Sequence, residues 1–237
     1  MTPTIEAYAF TLDAGDDVRP SDWAVLNAQE RAQADRYRFD LHRRRYCVGR
    51  AEVRRAVAER IDCAPSQVRF SYGEQGKPRL AGADQNEPAL HFNLSHSEGV
   101  ALLAFADTEL GADIEIVRPG FAADDIAERY FASGEVSALR ALPTADQERA
   151  FFRCWTRKEA YLKAHGGGLH IDLASFTVEF ADPAALASFT WFRDDLATDP
   201  SLWSLIDVGT RLQSIGIDAE AAIAINAPNR TAAISLR

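Results

Sequence analysis

Cysteine is scarce in this 237-residue chain, and Cys47, Cys63 and Cys154 are odd in number, far apart and in no Cys-x-x-Cys pair. That pattern excludes a disulfide framework and a thiolate zinc site. Long apolar runs are absent as well: the longest, Val100 to Ala106, falls far short of the roughly 18 residues that a membrane-spanning helix needs. The N-terminal stretch carries Glu6 and no cationic start, so it does not read as a signal peptide. No Gly-x-Ser-x-Gly turn occurs, which removes the usual serine-hydrolase arrangement. Positive charge is in deficit, with 26 Lys and Arg against 35 Asp and Glu for a net charge of −9, which argues against general nucleic-acid binding. These absences predict a soluble, cytoplasmic protein with reduced thiols and no membrane partner.

What is present is ordinary globular composition, 47% hydrophobic and 26% charged, in a length that suits one large domain or two small ones. The charge is uneven. Residues 31–60 hold ten Arg against Asp35, Asp40, Glu52 and Glu59, a local +6 that leaves −15 for the remainder. An acidic protein with one Arg-rich segment suits a small polyanion, since guanidinium forks clamp phosphate well. The alternative is a solvated helix face.

In chain order, Ile5 to Leu12 reads as an opening strand, and Ser21 as the N-cap of a helix starting near Asp22. Helical composition persists to about Ile61 with a break near Phe39-Asp40, and Pro65 closes it. Val68 to Tyr72 is a short strand; the Gly-punctuated turn Gly73 to Pro78 presents Lys77 from a loop, and Ala83 to Pro88 reads as a surface loop. His91 to Ser97 and the apolar strand 100–106 follow. A turn at 107–111 then folds the chain back as a hairpin into Gly111 to Val117. The second part repeats this order, with helix from about Asp124 to Ala164 and then strands at 175–180, 189–193, 221–226 and 231–236. The pattern predicts an α+β fold of two similar halves, residues 1–117 and 118–237, each with helices packed on a small antiparallel sheet. Pro119 and Gly120 mark the junction, and a ligand site belongs between the halves.

Two segments carry chemistry. In Trp155-Thr-Arg-Lys-Glu-Ala-Tyr-Leu-Lys163, helical spacing puts Trp155, Glu159 and Lys163 on one face. In Gly111-Ala-Asp-Ile-Glu-Ile-Val117, the strand period puts Asp113 and Glu115 on one face and Ile114 and Ile116 on the other. Three carboxylates with no His or Cys in these motifs favour a hard cation such as Mg²⁺, which commonly shares its shell with substrate phosphates. Lys158, Lys163, Lys77 and the Arg-rich segment could neutralise further phosphate oxygens. Ser95-His96-Ser97 reads as a phosphate contact, or else as a structural histidine. His165-Gly-Gly-Gly168 reads as a helix stop.

Phe92-Asn-Leu-Ser-His-Ser97, Gly111-Ala-Asp-Ile-Glu115 and Trp155 to Lys163, in that order, resemble the three signatures of 4′-phosphopantetheinyl transferases, and Gly76-Lys-Pro78 is similar to a fourth. The chain length resembles the surfactin-synthetase-activating class, whose single chain is an intramolecular pseudo-dimer of two α+β halves. The resemblance implies transfer of phosphopantetheine from coenzyme A to a serine of an apo acyl or peptidyl carrier protein, releasing 3′,5′-ADP, in fatty acid, polyketide or nonribosomal peptide synthesis. It implies Mg²⁺ on Asp113, Glu115 and Glu159, with Lys163 at the departing phosphate. Ser95, His96, Lys77 and Arg45 would hold the 3′-phosphate and adenine end of coenzyme A. Glu159, or Glu135 in Tyr130-Phe-Ala-Ser-Gly-Glu135, would take the serine proton. The resemblance implies a monomer, and the acidic net charge predicts no nucleic-acid partner. A non-catalytic coenzyme A-binding subunit of a biosynthetic complex is the alternative.

Overall fold

The computed structural model describes residues 5–13, 15–73, 76–82, 90–120, 123–166, 171–183, 185–193, 199–228 and 232–236. The loop expected at 83–88 and the glycines 167 and 168 lie outside them.

Strand β1 (Ile5–Thr11) alternates as its sequence dictates: Ile5, Ala7 and Ala9 face one core, Tyr8 and Phe10 another. It sits inside a four-stranded sheet, antiparallel to β5 (Val100–Ala106) and parallel to β11 (Ala232–Leu236), with β4 (His91–Ser97) on the far edge of β5. The helix α3 (Asp40–Arg60) covers one face of this sheet, seating Val53 and Val57 on Tyr8, Phe10, Leu103 and Phe105. Two short helices precede it, α1 (Pro20–Val25) and α2 (Ala28–Ala34). The first starts two residues before the expected position, with Arg19 rather than Ser21 at its N-cap. Proline's fixed φ and missing N–H suit the first helical residue. Asn27 and Glu30 form a reciprocal capping box on α2. After α3, β2 (Phe70–Tyr72) pairs with β3 (Pro78–Leu80), and Lys77 sits immediately before β3.

The strand β6 (Leu110–Ile116) departs from the expected hairpin. β5 already has β1 on one edge and β4 on the other, so it has no free ladder to offer. β6 instead joins a second sheet in the order β6-β10-β9, with β9 (Ser204–Asp207) and β10 (Ala219–Ile225). Ala112, Ile114 and Ile223 pack on Leu102 and Ala104 behind the first sheet. The other face of the second sheet, with Ala222 and Ala224, is covered by α6 (Thr144–His165), next to Phe152 and Tyr161. β10 is buried along its whole length, and its alanines leave room for backbone on both sides.

The helical stretch expected from Asp124 onward divides into α4 (Ala123–Tyr130), α5 (Ser133–Ala141) and α6. Pro143 stands immediately before α6, where proline blocks continuation of the preceding helix. α6 stops at Gly166, which is left-handed with φ 74°, as a helix stop there requires. A small hairpin of β7 (Phe176–Val178) and β8 (Phe189–Phe192) closes over Tyr161, whose ring lies 4.8 Å from that of Phe176. β9 and α7 (Gly209–Gln213) were not foreseen.

The layers therefore run α3, first sheet, second sheet, α6: one long helix on one small sheet, twice. β6 precedes residue 117 yet belongs to the second sheet, and β11 comes from the end of the chain yet completes the first. Among the described residues no helix is long and apolar enough to cross a membrane.

Candidate functional site

The edge strands β4 and β6 lie side by side at the junction of the two sheets, and side chains rather than a backbone ladder join them. Asn93, Ser95 and Ser97 alternate along β4 and are all buried. Asn93 Oδ1 accepts from the Ala112 N–H at 2.8 Å, and Ser95 Oγ donates to Asp113 Oδ1 at 2.8 Å. Ser97 Oγ donates to Glu115 Oε2 at 2.7 Å and accepts from the Ile116 N–H at 3.1 Å. Three small polar residues at period two thus present the acids of β6 in order.

α6 supplies the rest. Lys163 Nζ donates to Asp113 Oδ1 at 2.6 Å and to Ser95 Oγ at 2.8 Å. Glu159 lies one turn earlier on the same helix face. Burial, together with repulsion from Asp113 and Glu115, holds the Glu159 carboxyl above its ordinary range, although Lys163 pulls the other way. Glu115 is raised by burial and by Asp113, against the Ser97 hydrogen bond and the Arg118 and Lys163 charges. Asp113 is nearly sealed, and its Oδ2 has no hydrogen-bond partner.

Among the described residues no three carboxylate, imidazole or thiol groups stand in ligating geometry. The donor set nevertheless fits a hard cation: an orphaned carboxylate oxygen on Asp113, and two neighbouring carboxyls held high partly by mutual repulsion. In the structure the Lys163 ammonium supplies the positive charge there.

The other expected site residues separate into two groups. Arg45 and His96 line a pocket of about 270 Å³ with Tyr37, His42, Tyr46 and Glu98. Arg45 is aimed by Asp13, whose carboxylate takes its Nε at 2.8 Å and an Nη at 2.7 Å. That hydrogen-bonded guanidinium holds Asp13 below its usual range. His96 is open to solvent at one edge, yet partial burial with Lys163 and Arg45 nearby holds its imidazole below the ordinary value. The charges of Lys163 and Asp113 both act on His96, so the pocket adjoins the carboxylates.

Lys158, Glu135 and Lys77 are engaged inside the protein. Lys158 is fully buried, paired with Glu135 at 2.7 Å, and donates to the carbonyls of Leu173 at 2.8 Å and Phe176 at 2.5 Å. Glu135 also accepts from the Ala132 N–H at 3.0 Å and the Val178 N–H at 3.0 Å. Lys158 adjoins Glu159 in sequence but lies on another side of α6, because consecutive helical residues diverge by about 100°. Lys77 Nζ donates to Glu109 Oε2 at 2.9 Å, Leu110 O at 2.9 Å and Ala164 O at 3.3 Å, which uses all three ammonium hydrogens. Burial lowers the Lys77 ammonium, outweighing Glu109.

The partners Asn93, Asp13 and Glu109 did not emerge from the sequence. The alternation of Asn93, Ser95 and Ser97 was a usable signal; Asp13 and Glu109 lie on turns with no pattern to mark them.

A family model described as "4′-phosphopantetheinyl transferase superfamily" matches residues 109–210, and one described as "4′-phosphopantetheinyl transferase, N-terminal" matches residues 20–108. The chain is 43% identical to the 4′-phosphopantetheinyl transferase HetI of a Nostoc species, over 78% of this chain and 79% of that protein. It is 32% identical to the 4′-phosphopantetheinyl transferase Sfp of Bacillus subtilis, over 65% of this chain and 66% of that one. With the 4′-phosphopantetheinyl transferase AcpT of Salmonella typhimurium the identity is 40%, over 54% of this chain and 61% of the relative.

Proposed function

Because the chain belongs to the 4′-phosphopantetheinyl transferase superfamily, we propose that the seam between β4, β6 and α6 moves 4′-phosphopantetheine from coenzyme A to a serine of an apo carrier protein. The observation that carries this reading is the convergence of Asp113, Glu115, Glu159 and Lys163 beside the pocket of Arg45 and His96. The serine oxygen forms a bond to the phosphorus that bears the pantetheine arm. The bond from that phosphorus to the bridging oxygen breaks, and 3′,5′-ADP departs. The serine proton goes to Glu159, which lies on the cluster's face of α6, whereas both oxygens of Glu135 are already engaged. Lys163 meets the charge on the leaving phosphate. Arg45 and His96 hold the 3′-phosphate end, and Ser95 sets the position of Asp113 and Lys163.

Asp113, Glu115 and Glu159 would hold Mg²⁺, which when bound supplies charge neutralisation to the pyrophosphate. Asp113 Oδ2, which has no hydrogen-bond partner, would be the oxygen that takes the cation, while Lys163 keeps Oδ1 and stays beside the leaving phosphate. We give Glu135 and Lys158 no part in the transfer. We read residues 1–117 and 118–237 as halves that exchange one strand each, with the active site at their interface. The protein acts, on this reading, as a cytoplasmic monomer.

The test is mass spectrometry of apo carrier proteins incubated with this protein, coenzyme A and Mg²⁺, with an EDTA control. A gain of one phosphopantetheine, abolished by EDTA, establishes transfer and metal dependence together. Unmodified carriers of acyl and peptidyl type, with coenzyme A still bound, would overturn the transfer.

A further inference from the structure

We infer that Gly111 and Lys77 are positioning residues: together they set how deeply the end of α6 seats on β6, and hence where Glu159 and Lys163 stand against Asp113. The inference rests on the transfer reading above. A Cβ at Gly111 would lie 2.2 Å from the Ala160 carbonyl oxygen, 2.2 Å from the Ala164 nitrogen and 2.7 Å from the Lys163 carbonyl carbon. All three are backbone atoms of one helix, so no rotamer change relieves the overlap. Ordinary contact begins at 3.4 Å, and α6 would have to lift by about an ångström to restore it.

Lys77 fastens the same joint from its end. Its ammonium bridges the Leu110 carbonyl on β6 and the Ala164 carbonyl on α6, while Glu109 balances the charge. Leu110 adjoins Gly111 and Ala164 adjoins Lys163, so the clamp closes over the overlap point. A helix moves as a unit over one turn, and a displacement at Ala160 and Ala164 carries Glu159 and Lys163 with it. Lys163 holds Asp113 at 2.6 Å, so an ångström breaks that contact.

The test uses the full chain carrying Gly111→Ala or Lys77→Met. For a folded Gly111→Ala we expect kcat to fall by about 100-fold, as for an ångström's misplacement of reacting groups, with KM for coenzyme A within about threefold. In a Lys163→Met background the same substitution should cost less than about threefold, because coupled groups are non-additive. Amide hydrogen exchange over residues 160–165, measured without coenzyme A, should accelerate by about tenfold in both variants. Wild-type kcat in a folded Gly111→Ala, or a loss that adds fully to that of Lys163→Met, overturns the inference. If Gly111→Ala does not fold, Lys77→Met decides: faster exchange with lower kcat supports the joint, and wild-type values in both sink it. A wild-type protein inactive on every carrier would mark failure of the transfer reading instead, and the exchange measurement would still report on the joint.

Discussion

Lys158 and Glu135 meet at 2.7 Å with both side chains sealed from solvent, although Glu159, the next residue after Lys158, belongs to the carboxylate cluster. The pair ties α5 and α6 to the backbone around Phe176 and Val178. Removing one partner of a buried pair leaves an uncompensated charge, at a cost of about 3–5 kcal/mol. Lys158→Met is therefore expected to lower the urea midpoint sharply while the KM for coenzyme A stays at its wild-type value. A raised KM at unchanged stability would return Lys158 to the coenzyme A site.

Asp113 accepts from both Lys163 and Ser95, and Asp113→Asn keeps its shape while removing the charge. Its expected effect is a loss of about 10²–10³ in kcat on an apo carrier, the scale seen when one charge-stabilising group is deleted. Release of 3′,5′-ADP, followed by chromatography, measures it.

Acid stability should depend on Glu109. The His91 imidazole 3.6 Å away, and then the hydrogen bond from Lys77, bring the carboxyl down to about 2 despite the opposing effect of burial. A folded-state value below the unfolded one means stability that is fully present above about pH 4.5 and drains away toward pH 2. With the carboxylate partly open to water, the contribution at neutral pH is about 2 kcal/mol. Urea titrations of wild type and Glu109→Gln should differ by that amount at pH 7 and converge as the pH falls below 4.5. A gap independent of pH would contradict the linkage.

The three thiols should react unequally. Burial pushes the Cys154 thiol well up and raises that of Cys47, and both are sealed in the core. Cys63 is partly exposed. A disulfide reagent should modify one thiol per chain promptly in native buffer and three in denaturant. Rapid native reaction of two or more would show that the core opens.

Much of the site was legible because its spacing is periodic. Asp113 and Glu115 alternate with Ile114 and Ile116, and the structure puts the isoleucines against the first sheet and the acids toward α6. Glu159 and Lys163 share a helix face, and Lys163 does reach Asp113. Ambiguity arose where chemical type was read without direction. Lys158 looks like a phosphate ligand beside Glu159, but one residue of helical rotation turns it into the core. Lys77 is cationic and on a loop, yet its acceptors are carbonyls 33 and 87 residues away, which local pattern does not reveal. The misplaced hairpin has the same origin: strand order depends on which ladder edges are vacant, and β11 and β10 come from distant sequence.

The parallel pairing of β11 with β1 has a consequence for synthesis. β1 takes one of its two partners from residues 232–236, so on the ribosome that ladder edge stays unsatisfied until β11 has been translated. The nascent first sheet is a three-stranded intermediate with an open template edge. Chains stalled before residue 232 should be substrates for chaperones, whereas translation of β11 converts the same edge into a latch between β11 and β1.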